Sequence, residues 1–113
     1  MLLQRVQHGA TAFSARDALW LATRGGASVL GRDDIGQIAP GFAADLIAIN
    51  LNRLDYTGAL HDPTAAVVFC APRGVDFSMI NGRVIVQDGR LTTVDVGRLV
   101  ERHNAISAAM LAA

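Results

Sequence analysis

The sequence predicts an α+β chain, helical over its first third, then a small β-sheet built around a hairpin, then a C-terminal helix. Three observations carry that expectation. Apolar residues recur at helical spacing up to Gly31, with a capping pattern at Ser14-Ala15-Arg16-Asp17. Beyond Gly31 the punctuation changes to turn residues flanking short apolar pieces, among them the hairpin dipeptide Asn81-Gly82. Last, Asp95 precedes a run whose apolar residues Val96, Leu99, Val100, Ile106 and Met110 form one helical stripe with His103.

Element by element, Met1 to His8 places Leu2, Leu3 and Val6 on one side of a helix, and Gly9 is a natural C-terminal stop. Ser14 can accept from the first-turn backbone, and Asp17 suits the positive end of the helix dipole, so a helix is expected from Ala15 to Arg24. Its buried face would be Ala15, Ala18, Leu19 and Ala22. Gly25-Gly26 is expected to end it, before a short helical turn from Ala27 to Leu30 that Gly31 closes. Pro40-Gly41 fits the centre of a type II turn. Leu46 to Ile49 is apolar on both alternating faces, which predicts a strand covered on both sides. Asn50 to His61 reads as a polar loop. Asp62-Pro63 pairs a cap acceptor with a proline whose missing N–H costs nothing at the first helical position, so a short helix follows at about 63–70. Val75 to Met79 alternates with period two, Asn81-Gly82 reverses the chain into Val84-Ile85-Val86, and Asp88-Gly89 turns it again.

With 113 residues the chain is one domain or a piece of one, well short of a (β/α)₈ barrel of about 250 residues. Hydrophobic residues make up 51% and charged ones 18%, which excludes intrinsic disorder and leaves more apolar area than so small a core absorbs. A partner is expected to cover some of it. Ten arginines balance ten acids, so no positive field for nucleic acid or anionic lipid arises, and partners of both kinds are ruled out. Cys70 is the only cysteine, which leaves neither a disulfide framework nor a thiolate zinc site and points to a reducing cytoplasm. No apolar stretch approaches the roughly 20 residues of a membrane span, and Gln4, Arg5, Gln7 and His8 break any signal-peptide pattern.

The residues that could do chemistry stand apart. His8, His61 and His103 have no histidine, cysteine or carboxylate at the spacing of a local metal site. His8 suits a helix end, and His103, on the apolar stripe, suits packing with a hydrogen bond. His61 either orders its loop or stands near a substrate entrance. Ser14, Ser28, Ser78 and Ser107 lack the setting of an elbow nucleophile, and Gly25-Gly26 lacks the lysine of a phosphate loop. Cys70 sits in an apolar run, as a buried inert thiol does. Asp45, between Ala44 and Leu46, reads as a carboxylate holding turn N–H groups. Taken singly, these residues assign no catalytic residue and no metal ligand, and leave substrate-binding residues unknown.

Three ordered stretches together add a resemblance: Ala-Leu-Trp-Leu-Ala-Thr-Arg-Gly-Gly-Ala-Ser-Val-Leu-Gly (18 to 31), Ile-Gly-Gln-Ile-Ala-Pro-Gly-Phe-Ala-Ala-Asp-Leu (35 to 46) and Val-Asp-Phe-Ser-Met-Ile-Asn-Gly-Arg-Val-Ile-Val-Gln-Asp-Gly (75 to 89). They resemble the C-terminal end of the metal-dependent amidohydrolases. His61-Asp62-Pro63 and Leu91-Thr92-Thr93-Val94-Asp95 are similar to the deaminase and chlorohydrolase branch, closest to 8-oxoguanine deaminases. The resemblance implies that residues 1–31 are the last helices of an incomplete TIM-type barrel. It likewise implies that 32–94 are the C-terminal strands of a composite β-domain and 95–113 a C-terminal helix. It implies hydrolytic deamination of a purine-like or related heterocycle by the complete enzyme, with a divalent metal, zinc, held by residues upstream of the matched stretch. None of those ligands maps onto a residue here, so the chain alone is expected to be inactive and to need the missing N-terminal part or a homo-oligomer partner. The alternative is a non-catalytic binding or assembly module, or the second half of a split enzyme.

Overall fold

The computed structural model describes residues 2–70 and 74–112. Helix α1 (Leu2–His8) ends as expected at Gly9, whose φ of +95° and N–H bond to the Arg5 carbonyl (3.0 Å) close the last turn. The Arg5 guanidinium lies 5.4 Å from the centre of the Phe69 ring and ties α1 to a later helix.

Helix α2 (Ala15–Trp20) opens with the expected capping box. Ser14 Oγ accepts from the Asp17 backbone N–H (3.1 Å), and the Asp17 carboxylate accepts from the Ser14 backbone N–H (2.8 Å). The expected stop at Gly25-Gly26 is not there. The chain instead passes through one π-helical segment (Leu21–Gly25) straight into α3 (Gly26–Val29), with Gly25 and Gly26 both right-handed helical. The Gly26 N–H reaches back five residues to the Leu21 carbonyl, and Gly25 without a Cβ leaves room for the Leu21 and Trp20 side chains. The extra residue in that turn rotates the helix, so Ala15 is buried and Ala18 and Leu19 half-buried, but Ala22 faces solvent. Gly31 supplies the true end. Its N–H bonds the Ser28 carbonyl and that of Arg32 the Ala27 carbonyl, a Schellman motif with φ +66° at Gly31.

Pro40-Gly41 makes the expected turn, with φ +85° at Gly41 and the Phe42 N–H on the Ala39 carbonyl (3.2 Å). Strand β1 (Leu46–Ala48) follows and is an edge strand with Ile47 60% exposed, rather than one covered on both faces. The segment 50–61, expected to be a polar loop, contains a 3₁₀ turn (Leu54–Tyr56) that seats Tyr56, the most buried side chain described. Asp62 then caps α4 (Pro63–Phe69) by accepting from the Ala65 N–H (3.0 Å). Helix α2 packs against α4, and each contributes one buried alanine, Ala15 and Ala66.

The sheet is antiparallel throughout in the order β1-β2-β3-β4, with β2 Phe77–Ile80, β3 Arg83–Gln87 and β4 Arg90–Leu91. The hairpin turns at Asn81-Gly82 with φ of +47° and +77°, the values a type I′ turn requires. Asp88-Gly89 repeats the device at +50° and +72°. Strand β2 starts at Phe77 rather than Val75. Between Ser78 and Met79 the ladder is bulged, because Ser78 pairs with Val86 and Met79 with Val84.

Helix α5 (Val96–Leu111) is capped by Asp95, which accepts from the Arg98 N–H (3.1 Å). Its stripe is uncovered among the described residues, since every one of them from Gln87 onward is exposed, His103 included, against the expectation that His103 packs. The radius of gyration is 18.5 Å, where a compact chain of this length has about 13 Å. Accessible surface is 8832 Å², about 2,900 Å² more than the roughly 5,900 Å² of a compact protein of 11.9 kDa.

Candidate functional site

A groove of about 530 Å³ lies between the π segment and the β1–β2 edge of the sheet. Its walls include Thr23, Ile38, Asp45, Ile47, Ser78 and Ile80. Contacts between residues well separated along the chain build it. Gly36, at φ +84°, brings the backbone so close to the π segment that a Cβ there would lie 2.8 Å from the Thr23 carbonyl oxygen. Arg24 donates to the Gln37 side chain, and the Ala43 N–H bonds the Asp34 carbonyl (2.8 Å), folding residues 34–43 into a closed loop over the helix.

Asp45 does what its sequence setting predicts, over a longer range. Its carboxylate accepts from the Asn81 N–H (2.6 Å) while the Gly82 N–H bonds the Ala44 carbonyl (3.2 Å), so residues 44–45 clasp the hairpin turn. The carboxylate is thereby engaged with backbone. Three isoleucines rim the groove, with Ile38 84%, Ile47 60% and Ile80 55% exposed, and the arrangement is suited to receiving apolar side chains rather than to moving protons.

The sequence-selected residues are not brought together. His8, His61 and His103 are all exposed on different elements, and no hydrogen bond from the His61 ring is present among the described residues. Cys70 is half-buried at the end of α4 rather than fully buried, and the apolar run it belongs to continues into residue 71, outside the described residues. Among the described residues no three His, Cys, Asp or Glu side chains gather into a group able to hold a metal ion. The donors present therefore do not fit the zinc that the resemblance implies.

Two residues organise the loop beside β1 and have no signal in the sequence. Asp76 accepts from the Asn50 N–H (2.7 Å) and pairs with Arg53, while its own backbone bridges Ala48 and Gly89. Tyr56 is 2% exposed, and its hydroxyl meets no hydrogen-bond partner. Elsewhere the hydroxyl and backbone N–H of Ser14 hold the Asp17 carboxyl below its ordinary range. The Arg32 guanidinium, 2.5 Å away, does the same for Asp34.

Comparison with known proteins gives the family to which these helices and this open-edged sheet belong. Residues 1–85 match the amidohydrolase family, and the chain belongs to it. The chain is 41% identical over 112 residues to 8-oxoguanine deaminase of Pseudomonas aeruginosa, covering 99% of this chain and 25% of that protein. It is 35% identical over 96 residues to 5-methylthioadenosine/S-adenosylhomocysteine deaminase of Desulfitobacterium hafniense, covering 85% and 22%. Among solved structures, a zinc-bound adenosine deaminase from Xanthomonas campestris superposes with a TM-score of 0.85 at 31% identity, covering 99% of this chain and 26% of that one. Atrazine chlorohydrolase from Arthrobacter aurescens, complexed with zinc, superposes at 0.75 with 35% identity, covering 83% and 21%. The chain thus spans about a quarter of the length of the relatives it matches, and is a fragment of their architecture.

Proposed function

We propose that this chain is the C-terminal part of a cytoplasmic, metal-dependent deaminase that replaces an amino group on a purine-like heterocycle with oxygen from water, releasing ammonia. The observation that carries the reading is the 41% identity to an 8-oxoguanine deaminase along 99% of the chain. On this reading residues 1–31 are the closing helices of the barrel, 32–94 the C-terminal strands of the β-domain, and 95–113 a terminal helix. The lone, half-buried Cys70 suits a reducing compartment. Metal and acid–base groups belong to the remainder of the enzyme. What this chain's own residues supply is a scaffold: the loop ahead of β1 seated on the helix by the close approach of Gly36, and the hairpin clasped by Asp45.

A covalent chimera tests this. In the Pseudomonas aeruginosa 8-oxoguanine deaminase, the matching 112-residue segment is replaced by this chain, and ammonia release is followed with 8-oxoguanine, adenosine, S-adenosylhomocysteine and a triazine. The chimera is expected to load zinc and to deaminate 8-oxoguanine, while the chain alone binds no stoichiometric zinc and releases no ammonia. A folded, zinc-loaded chimera inactive on all four compounds, or turnover by the isolated chain with one zinc bound, overturns the reading.

A further inference from the structure

Asn81-Gly82 is the only Asn-Gly pair in the chain. Asparagine is chemically labile, and most so before glycine, whose nitrogen has no adjacent side chain to shield it from the carboxamide that precedes it. In that reaction the Gly82 nitrogen, on losing its proton to solvent, attacks the Asn81 side-chain carbonyl carbon Cγ. The Cγ–Nδ2 bond breaks, ammonia leaves, and a succinimide ring remains. Water then opens the ring at either carbonyl, so that position 81 ends as aspartate or isoaspartate, with one water taken up for each ammonia released. Asn81 and Gly82 are both exposed, and a Cβ at Gly82 would meet nothing within 4 Å, so water and base reach the turn freely. At Asn50-Leu51, Asn52-Arg53 and Asn104-Ala105 the following residue carries a side chain, which leaves position 81 as the reactive asparagine.

What the folded chain withholds is the freedom of the nucleophile to turn. Ring closure needs the Asn81–Gly82 peptide rotated about the Asn81 Cα–C bond until its nitrogen eclipses Cβ. The Gly82 N–H instead bonds the Ala44 carbonyl (3.2 Å), the Asn81 N–H is held by the Asp45 carboxylate (2.6 Å), and Ile80 pairs with Arg83 across the turn. Both peptide groups flanking Asn81 are thus tied to residues 44–45, and turning either one breaks a hydrogen bond. We propose that Asn81 is a site of spontaneous succinimide formation, kept latent by the clasp of residues 44–45, and that release of β1 from the hairpin sets the reaction free. The change runs one way. A carboxylate at position 81 stands beside that of Asp45, where like charges repel. Isoaspartate also adds a methylene to the backbone of a turn whose central residues are set at φ +47° and +77°. The modified hairpin resists being clasped again, so the chain keeps a covalent record of β1 having come away.

The test incubates the whole chain at neutral pH, in buffer and in urea, and digests it with trypsin. Peptide 74–83 is followed by mass for conversion of the amide to the acid, and by enzymatic methylation for isoaspartate. Conversion in buffer is expected to be slower than in urea by about tenfold or more, the factor that one hydrogen bond to a charged group sets. Asp45→Ala should raise the rate in buffer most of the way to that in urea while the fluorescence of Trp20, the only tryptophan, stays that of the folded chain. Asp45→Asn, which keeps an oxygen acceptor and loses the charge, should fall between. Ser14→Ala weakens the α2 cap and touches neither partner of the clasp, so its rate should match that of the unsubstituted chain. Asn81→Asp, carrying the product's charge, should speed amide exchange at Gly82 and Asp76, whose N–H groups bond the Ala44 and Ala48 carbonyls. Equal rates in buffer and urea overturn the proposal. So does a rise in Asp45→Ala that comes only with unfolding at Trp20 or is equalled by Ser14→Ala, since loss of the whole fold is then the trigger. A slower reaction in Asp45→Ala would make that carboxylate the base that takes the Gly82 proton, the opposite of a guard. Unchanged exchange in Asn81→Asp refutes the one-way step.

Discussion

Replacing Gly36 with alanine should be among the most damaging single-methyl additions to this chain. The residue sits at φ +84°, where an L side chain costs about 1–2 kcal/mol. The added Cβ would also lie 2.8 Å from the Thr23 carbonyl oxygen and 3.0 Å from the Ala27 Cβ. Both neighbours belong to helical backbone or to a buried alanine and have little room to retreat, which adds the roughly 1–3 kcal/mol typical of overpacking. The sum is about 2–5 kcal/mol. Gly31→Ala is the matched control: it shares the positive φ, at +66°, but its Cβ meets nothing within 4 Å, so it bears the backbone cost alone. Trp20, the only tryptophan and the last residue of α2, has its ring beside Gly25 of the π segment and reports on that segment by fluorescence. Urea denaturation of the two variants, read at Trp20, should place the Gly36→Ala midpoint below that of Gly31→Ala. Indistinguishable midpoints would refute the close approach of Gly36 to the π segment, and with it the seating of the 34–43 loop on the helix.

Further outcomes follow from the same geometry. Gly82→Val should destabilise the hairpin through φ +77° alone, by about 1–2 kcal/mol or more. Gly97→Ala, helical and meeting only Asp95 Oδ1 at 3.4 Å, should be neutral or stabilising by about 0.4–1 kcal/mol; equal denaturation midpoints would contradict both. Asp45→Ala leaves the Asn81 N–H without its carboxylate and should speed hydrogen exchange at Asn81 and Gly82 before it affects α2, which amide-resolved NMR can read. The Asp17 carboxyl is lowered in the folded chain, so its contribution to the α2 start is complete above the ordinary carboxylate value of 3.8 and is lost as pH falls through the lowered value. Ser14→Ala should move the Asp17 titration upward, and an unchanged carboxyl titration by NMR would show that the capping box is not closed in solution.

What was legible in the sequence was local. Ser14-x-x-Asp17, Asp62-Pro63, Pro40-Gly41 and Asn81-Gly82 each settle their geometry within four residues, and each is found in place. Gly25-Gly26 misled because glycine disfavours a helix by only about 1 kcal/mol, less than the packing that carries α2 through into α3. Tyr56 and Asp76 escaped because their importance comes from partners 20 or more residues away or from burial, which no spacing encodes. The α5 stripe was readable as a face and unreadable as a contact, since none of the described residues covers it. Of the groove, the sequence showed Asp45, whose setting marked it as a holder of turn N–H groups, and not the hairpin 36 residues on that it holds.

The clasp between Asp45 and Asn81 also sets an order of events in folding. The β2–β3 hairpin needs only residues 77–87 and a turn already biased to the right twist, so it can close in about 1–10 μs. Strand β1 must wait. The Asp45 carboxylate just ahead of it finds no partner until the ribosome has passed the hairpin 36 residues on, and a chain growing at about 5–20 residues per second keeps Leu46 to Ala48 unpaired for seconds. The second and third strands therefore supply the template on which β1 settles, and during synthesis the apolar side chains of β1 stay open to solvent until that template exists.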